Sequence, residues 1–151
     1  MRKVIIAYKS GQRTFSSGIA TAIALTVSRF QIQADMVVPV PTAKTKLALI
    51  GFDPVGQIAR EVARQTGIPF APILSITRVV ADQVGLSPSA RQKNVLGAFK
   101  ATKAVSARVL LIDDVITTGA TALEASRAIR VAGGREIFVV CACRTVGRFT
   151  L

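Results

Sequence analysis

The stretch from Val109 to Thr121 reads Val-Leu-Leu-Ile-Asp-Asp-Val-Ile-Thr-Thr-Gly-Ala-Thr. Its first four residues are a continuous apolar run, the pattern of a parallel strand covered on both faces. Two adjacent carboxylates, Asp113 and Asp114, follow where such a strand is expected to leave the core and meet water. Like charges side by side repel, so the pair suggests a use: accepting hydrogen bonds from ligand hydroxyls, or facing a divalent ion that prefers hard oxygen donors. Thr117, Thr118, Gly119, Ala120 and Thr121 then bring hydroxyls and backbone N–H groups to the start of a helix. Those donors and the positive end of the helix dipole suit an anion such as a phosphate. A plain strand, turn and capped helix is the commonplace alternative, because Asp, Thr and Gly are ordinary cap and turn residues. It accounts for Thr118 and Gly119 but poorly for the acidic pair and the threonines together.

The rest of the chain alternates strand-like and helix-like segments. Val4 to Tyr8 is apolar and compatible with either. Phe15, Ile19, Ile23, Val27 and Phe30 recur at helical spacing and predict one buried face. Met36 to Val40 reads as a strand stopped by Pro39 and Pro41. Asp53-Pro54 reads as the start of a helix with Val55, Ile58, Ala59 and Val62 inward, ended by Gly67 and Pro69. Phe70 to Ile76 reads as a strand. Residues 78–100 read as a flexible loop region with a short helix after Ser87-Pro88. Arg108 to Asp113 is the strand of the acidic pair, and Leu123, Ser126 and Ile129 are expected on the packed face of the helix that Gly133-Gly134 ends. Glu136 to Ala142 reads as a last strand. Strands alternating with helices imply an α/β fold with a parallel sheet and right-handed crossovers. A length of 151 residues suits one domain over 1–151, with 1–30 as an N-terminal helical part.

Composition removes several chemistries. The sequence has no histidine, which excludes Ser-His-Asp and Cys-His arrangements and a histidine metal site. Its two cysteines, Cys141 and Cys143, would face one side of a single strand, a poor geometry for a disulfide. Half the residues are hydrophobic, but every apolar run is too short to span a bilayer as a helix. The opening Met1-Arg2-Lys3-Val4-Ile5-Ile6 stops being apolar at Tyr8-Lys9-Ser10, too soon for a signal peptide, so the expected location is cytoplasmic. Gly51 and Gly56 have P-loop spacing, but Gln57 stands where a lysine is required. A net charge of +12 favours anionic partners, with a merely solvated basic surface as the alternative.

The segment from Val109 resembles the phosphoribosyl diphosphate signature of type I phosphoribosyltransferases. The order Val38-Pro39-Val40-Pro41, Gly51-Phe52-Asp53, Gln83, Leu86, Arg91, Asn94, Gly97-Ala98-Phe99 and then the signature resembles the ComF/GntX subgroup, associated with natural competence. The likeness runs from about Tyr8 to Thr145. It implies the type I phosphoribosyltransferase fold: a small parallel sheet flanked by helices, with a flexible loop over the site. It implies 5-phosphoribosyl 1-diphosphate (PRPP) as ligand with Mg2+ as cofactor. Thr117 to Thr121 would hold the 5-phosphate. Asp113 and Asp114 would accept the ribose hydroxyls and support the metal. Pro39, Val40, Pro41, Thr42, Ala43 and Lys44 would form the diphosphate loop, and Arg91 and Lys93 would close over the leaving group. If the chain is an enzyme, it transfers a phosphoribosyl group and releases diphosphate. The alternative is a non-catalytic sugar-phosphate sensor or competence accessory that binds single-stranded DNA. Self-pairing into a homodimer stays open.

Three departures qualify the likeness. The four-cysteine zinc module usual in the subgroup does not precede these motifs. Ile50 and Asp53 stand where the family often has arginine and asparagine. Thr117 occupies the place of a third acid found in purine-salvage members, which argues against that chemistry. Lys9 matches a lysine–tyrosine patch to which no role is assigned.

Overall fold

The computed structural model describes residues 16–78 and 94–144. Helix α1 (Ser16–Arg29) buries Ile19, Ala20, Ile23 and Val27, the stripe expected from the spacing. Phe30 is exposed. The helix stops at Arg29, and the chain turns through Gln31 at positive φ, which takes Phe30 off the buried face. Phe15, Val4 to Tyr8 and Lys9 lie outside the described residues.

Strand β1 (Met36–Pro39) is followed by a short helix, α2 (Lys44–Ile50), and then by α3 (Pro54–Thr66). α3 carries Pro54 at its start, buries Val55, Ile58, Ala59 and Val62, and ends on Gly67 in the left-handed region. Two short strands, β2 (Leu74–Ile76) and β3 (Phe99–Ala101), pair antiparallel as a ribbon. Next come β4 (Arg108–Ile116), helix α4 (Ala120–Val131) and β5 (Glu136–Arg144). β4 is the middle strand of a parallel sheet ordered β1-β4-β5. Phe70, expected to begin a strand, instead makes one parallel bridge to Val37.

The apolar run of β4 is buried on both faces, and alternate residues serve different cores. Leu110 and Ile112 join α1 and α3 on one side. Val109 and Leu111 join Ala125, Ala128 and Ile129 of α4 and the ribbon residues Leu74 and Phe99 on the other. Leu123 departs from expectation. α4 buries Ala122, Glu124, Ala125, Ala128 and Ile129, while Leu123 points outward. The helix packs close to the sheet through small residues, and the bulkier leucine falls on the opposite face.

At the amino end of the sheet Asp35 and Arg108 hold β1 and β4 in register. The Asp35 N–H donates to the Arg108 carbonyl at 2.8 Å. The Asp35 carboxylate accepts from the Arg108 backbone N–H and from its guanidinium, both at 2.8 Å.

Candidate functional site at the carboxyl edge of the sheet

β1 and β4 run side by side, with Pro39 opposite Ile112. The Val40 N–H donates to the Ile112 carbonyl at 2.9 Å, the last rung between them. The chain leaving β1 through Val40, Pro41, Thr42 and Ala43 therefore departs beside Asp113. On its other side β4 stays paired with β5 as far as Ile116 and Arg144. Beyond Ile112, and among the described residues, β4 has a strand neighbour only on the β5 side. The carboxyl end of a parallel sheet, where neighbouring strands diverge, is where small-molecule sites form in such folds.

The acidic pair is more deeply placed than the sequence suggested. Asp113 and Asp114 lie inside β4, not past its end, and are only 7% and 8% exposed. Pairing with β5 is the reason, because it carries the strand past both residues. The Asp113 Oδ1 accepts the Asp114 N–H at 2.8 Å, and the Asp114 Oδ1 accepts the Val115 N–H at 2.6 Å. Charge-assisted bonds of this kind hold each side chain in one rotamer. Opposite Asp113 on β5 sits Cys141. Burial, with Asp113 nearby as a lesser cause, pushes its thiol above the usual range, so it stays protonated. Neither Cys141 nor Cys143 forms a disulfide.

After Ile116 the chain bends through Thr117 and Thr118, both exposed, into Gly119 at φ 80. Gly119 occupies the N-cap position of α4, and no side chain caps that helix. The nearest candidate, the Thr118 hydroxyl, accepts the Ala120 N–H at a long 3.4 Å. The commonplace reading of Thr118 as a cap therefore fails on geometry. What remains is an exposed bend leading into a helix N-terminus, with no acid in the first turn of that helix.

The loop after β1 is anchored to α3. The Thr42 Oγ1 donates to the Asp53 Oδ1 at 3.0 Å. Asp53 holds the N-cap position of α3 but makes no side-chain cap bond; its carboxylate reaches Thr42 instead. Lys44, expected in the loop, is the first residue of α2. The sequence reading missed that helix because seven residues are too few to show a period. Arg91 and Lys93 lie outside the described residues.

Sequence reasoning also missed Glu124. It is buried on α4, accepts the Gly97 N–H at 2.8 Å and pairs with Arg127 Nη2 at 2.8 Å. The hydrogen bond from Arg127, with further help from Gly97, holds its carboxyl below the usual glutamate range. Gly97 is itself held to the ribbon: its carbonyl accepts the Thr77 hydroxyl at 2.7 Å. Arg78 Nη2 donates to the carbonyls of Asn94 and Leu96 at 2.9 and 2.8 Å. The two ends of the segment 79–93 are thus tied to each other and, through Glu124, to the helix that begins at Gly119. The visible signal was one acid among alanines with an arginine three residues later, a pair that commonly lies on the surface.

No protein-family model matches the chain. Solved structures share its architecture. Glutamine PRPP amidotransferase from B. subtilis superposes with a TM-score of 0.57 at 24% identity, over 84% of this chain and 26% of that one. Purine phosphoribosyltransferase from Pyrococcus horikoshii Ot3 superposes with a TM-score of 0.51 at 15% identity, over 86% of this chain and 81% of that one. Competence protein F of Haemophilus influenzae is 31% identical over 110 residues, 70% of this chain and 48% of that protein. The chain resembles competence protein F and has a type I phosphoribosyltransferase fold. The DNA utilization protein YhgH of Escherichia coli K12 is 29% identical over 114 residues, 74% of this chain and 50% of that protein. The chain therefore spans about half the length of the curated relatives it matches.

Proposed function

We propose that the chain binds PRPP together with magnesium at the carboxyl edge of its sheet, and that its reaction is phosphoribosyl transfer with release of diphosphate. The adjacency of β1 and β4 carries the reading. It brings the Pro39–Lys44 segment, the acidic pair and the Thr117–Thr121 bend to one end of the molecule, as a ligand with two phosphate ends and a hydroxylated ring requires. The backbone donors and hydroxyls of the bend receive the 5-phosphate. Asp113 and Asp114 accept the ribose hydroxyls, and the turn after β1 faces the diphosphate.

The donor set suits magnesium. Among the described residues no three His, Cys, Asp or Glu side chains cluster as a protein cage. Magnesium is commonly held by one or two carboxylates, with waters and substrate phosphates completing its shell. Asp113 and Asp114 would supply those carboxylates, and the bound ion would neutralise charge on the diphosphate. In the reaction the bond from ribose C1 to the diphosphate oxygen breaks, and that oxygen leaves with the electron pair. A lone pair of the acceptor forms the new bond at C1. The protein's part is orientation and stabilisation of the leaving charge, which needs no histidine. The resemblance alone gives Arg91 and Lys93 a share in that stabilisation.

Calorimetric titration with PRPP and magnesium chloride tests the reading. Saturable binding by the parent is expected, with loss of binding in Asp113→Asn/Asp114→Asn while circular dichroism is unchanged. Undetectable binding by the parent withdraws the proposal. Turnover of PRPP against a panel of bases, amines and acids then identifies the acceptor class.

A second reading is supported by the charge of +12 and by relatives named for competence and DNA utilization. On this reading the chain binds single-stranded DNA. Counterion release requires such binding to weaken steeply as salt is raised, so a salt-insensitive interaction would exclude it.

A further inference from the structure

Outside the candidate site, an open groove of about 510 Å³ runs between β3 and the second half of α4 and shares no residue with that site. Phe99, Ala101, Ala104 and Ala128 are among the residues that line it, and Lys100, Lys103 and Arg127 bring cations to it. Two features set this surface apart from an ordinary solvated face.

The first is its exposed apolar content. Val131 lines the groove and is 76% exposed. Leu123 lies two turns earlier on the same helical face, separated by Arg127, and is 63% exposed. Leu96, at 64%, precedes the Gly97 that is bonded to Glu124, so it sits at the same end of α4 as Leu123. Single exposed aliphatic residues are normal; here Val131 lines the groove, while Leu123 and Leu96 lie outside its lining toward the start of α4, and together they extend the exposed apolar surface along that helix.

The second is its charge. α4 has one acid, Glu124, whose carboxylate is turned into Gly97 and Arg127. Lys100 and Lys103 are exposed, and among the described residues no acid lines the groove.

We propose that this groove docks an acidic amphipathic helix of a protein partner, with its apolar side chains against Leu96, Leu123 and Val131 and its carboxylates against Lys100, Lys103 and the outer edge of Arg127. Apolar anchors at helical spacing in a groove are a recurring recognition mode, and opposite charges at the rim fix the register. Nucleic acid fits less well. Its backbone would use the lysines but leave the aliphatic strip uncovered, and Phe99, the one aromatic ring among the described residues lining the groove, is buried and unable to stack with a base. A second copy of this chain fits less well too, because it would bring lysines against lysines.

The probe is a fluorescein-labelled helical peptide with leucines on one face and glutamates on the other, titrated by anisotropy against the full chain. Saturable binding is expected, with amide shifts centred on β3 and α4. A loss of roughly tenfold is expected in Lys100→Glu/Lys103→Glu, and separately in Val131→Ser, with unchanged melting temperature. Neither substitution touches the PRPP-binding residues, so PRPP titration of the same variants reads the two sites independently. The proposal is overturned by absent binding, by equal binding of a peptide with lysines for glutamates, or by shifts that map elsewhere. Tighter binding of oligothymidylate at the same residues would reassign the groove to nucleic acid. Self-association abolished by Val131→Ser would reassign it to a second copy.

Discussion

The hydroxyl of Thr42 donates to the carboxylate of Asp53 across 3.0 Å, fastening the turn after β1 to the start of α3. Space for this bond exists because position 56 is glycine. The Asp53 carboxylate lies where a Cβ on Gly56 would sit. One missing methyl group on α3 thus sets the position of a loop eleven residues upstream of Asp53.

Gly56→Ala tests that arrangement. In a helix interior the change usually stabilises by about 1 kcal/mol. Here the new methyl must drive the Asp53 side chain away and break its bond to Thr42. The expected result is no rise in melting temperature and a several-fold loss of PRPP affinity by calorimetry. A variant that gains stability and keeps its affinity would show that the Thr42 link does not shape the site.

Glu124 offers a second test, of the coupling between α4 and the ribbon. Glu124→Ala leaves the Gly97 N–H without its acceptor, a loss expected to cost about 1–3 kcal/mol in urea unfolding. Glu124→Gln keeps an acceptor but gives up the ion pair with Arg127. Arg127 is half exposed, so this second loss is expected to be the smaller. Amide exchange at Gly97 reports directly: fast in the alanine variant, protected in the glutamine variant. Equal loss in both would assign the effect to the charge pair rather than to the bond with Gly97.

The parts of this chain that could be read from sequence are those whose physics is local. The continuous apolar run of β4, the stripe of α3 with Pro54 before it and Gly67 after it, and the glycines ending α4 each follow from nearest-neighbour patterning. The depth of Asp113 and Asp114 could not be read, because it depends on how far β5 pairs with β4. Leu123 was misplaced because several phases of an alanine-rich helix look equally apolar. β3 was missed because a three-residue strand has too few positions to alternate. The Glu124–Gly97 and Thr42–Asp53 bonds link residues distant in sequence, and only the fold brings them together.

Acid should loosen the amino end of the sheet. The hydrogen bonds from Arg108 lower the Asp35 carboxyl to about 2. A group whose folded value lies below its unfolded one stabilises fully above the unfolded value, 3.8, and loses that contribution as pH falls toward the folded one. Unfolding followed between neutral pH and pH 2 should therefore show a decline that starts near pH 4. Asp35→Asn should flatten part of that decline, leaving the shares from Glu61, which Arg64 likewise lowers to about 2, and from Glu124, which Arg127 also lowers. Asp35 is exposed and Glu61 half-buried, so raised salt should shrink the effect, more for Asp35. An Asp35→Asn profile parallel to the parent's would remove Asp35 from the account.

Two glycines at positive φ separate stability from binding. Gly119 sits at φ 80, and a Cβ there would meet nothing within 4 Å. Gly119→Ala therefore pays only for the left-handed backbone, about 1 kcal/mol, but it acts at the bend proposed to hold the 5-phosphate. Gly133 sits at φ 100, and a Cβ there would lie 2.7 Å from the Val105 carbonyl oxygen. The backbone must move to relieve that contact, and the same crossing carries the bond from the Val105 N–H to the Ala132 carbonyl. Gly133→Ala should therefore lower the melting temperature more than Gly119→Ala. Compared at a temperature where both variants are folded, Gly119→Ala should show the greater loss of PRPP affinity. If affinity instead followed melting temperature across the two variants, the bend would have no role in binding beyond folding.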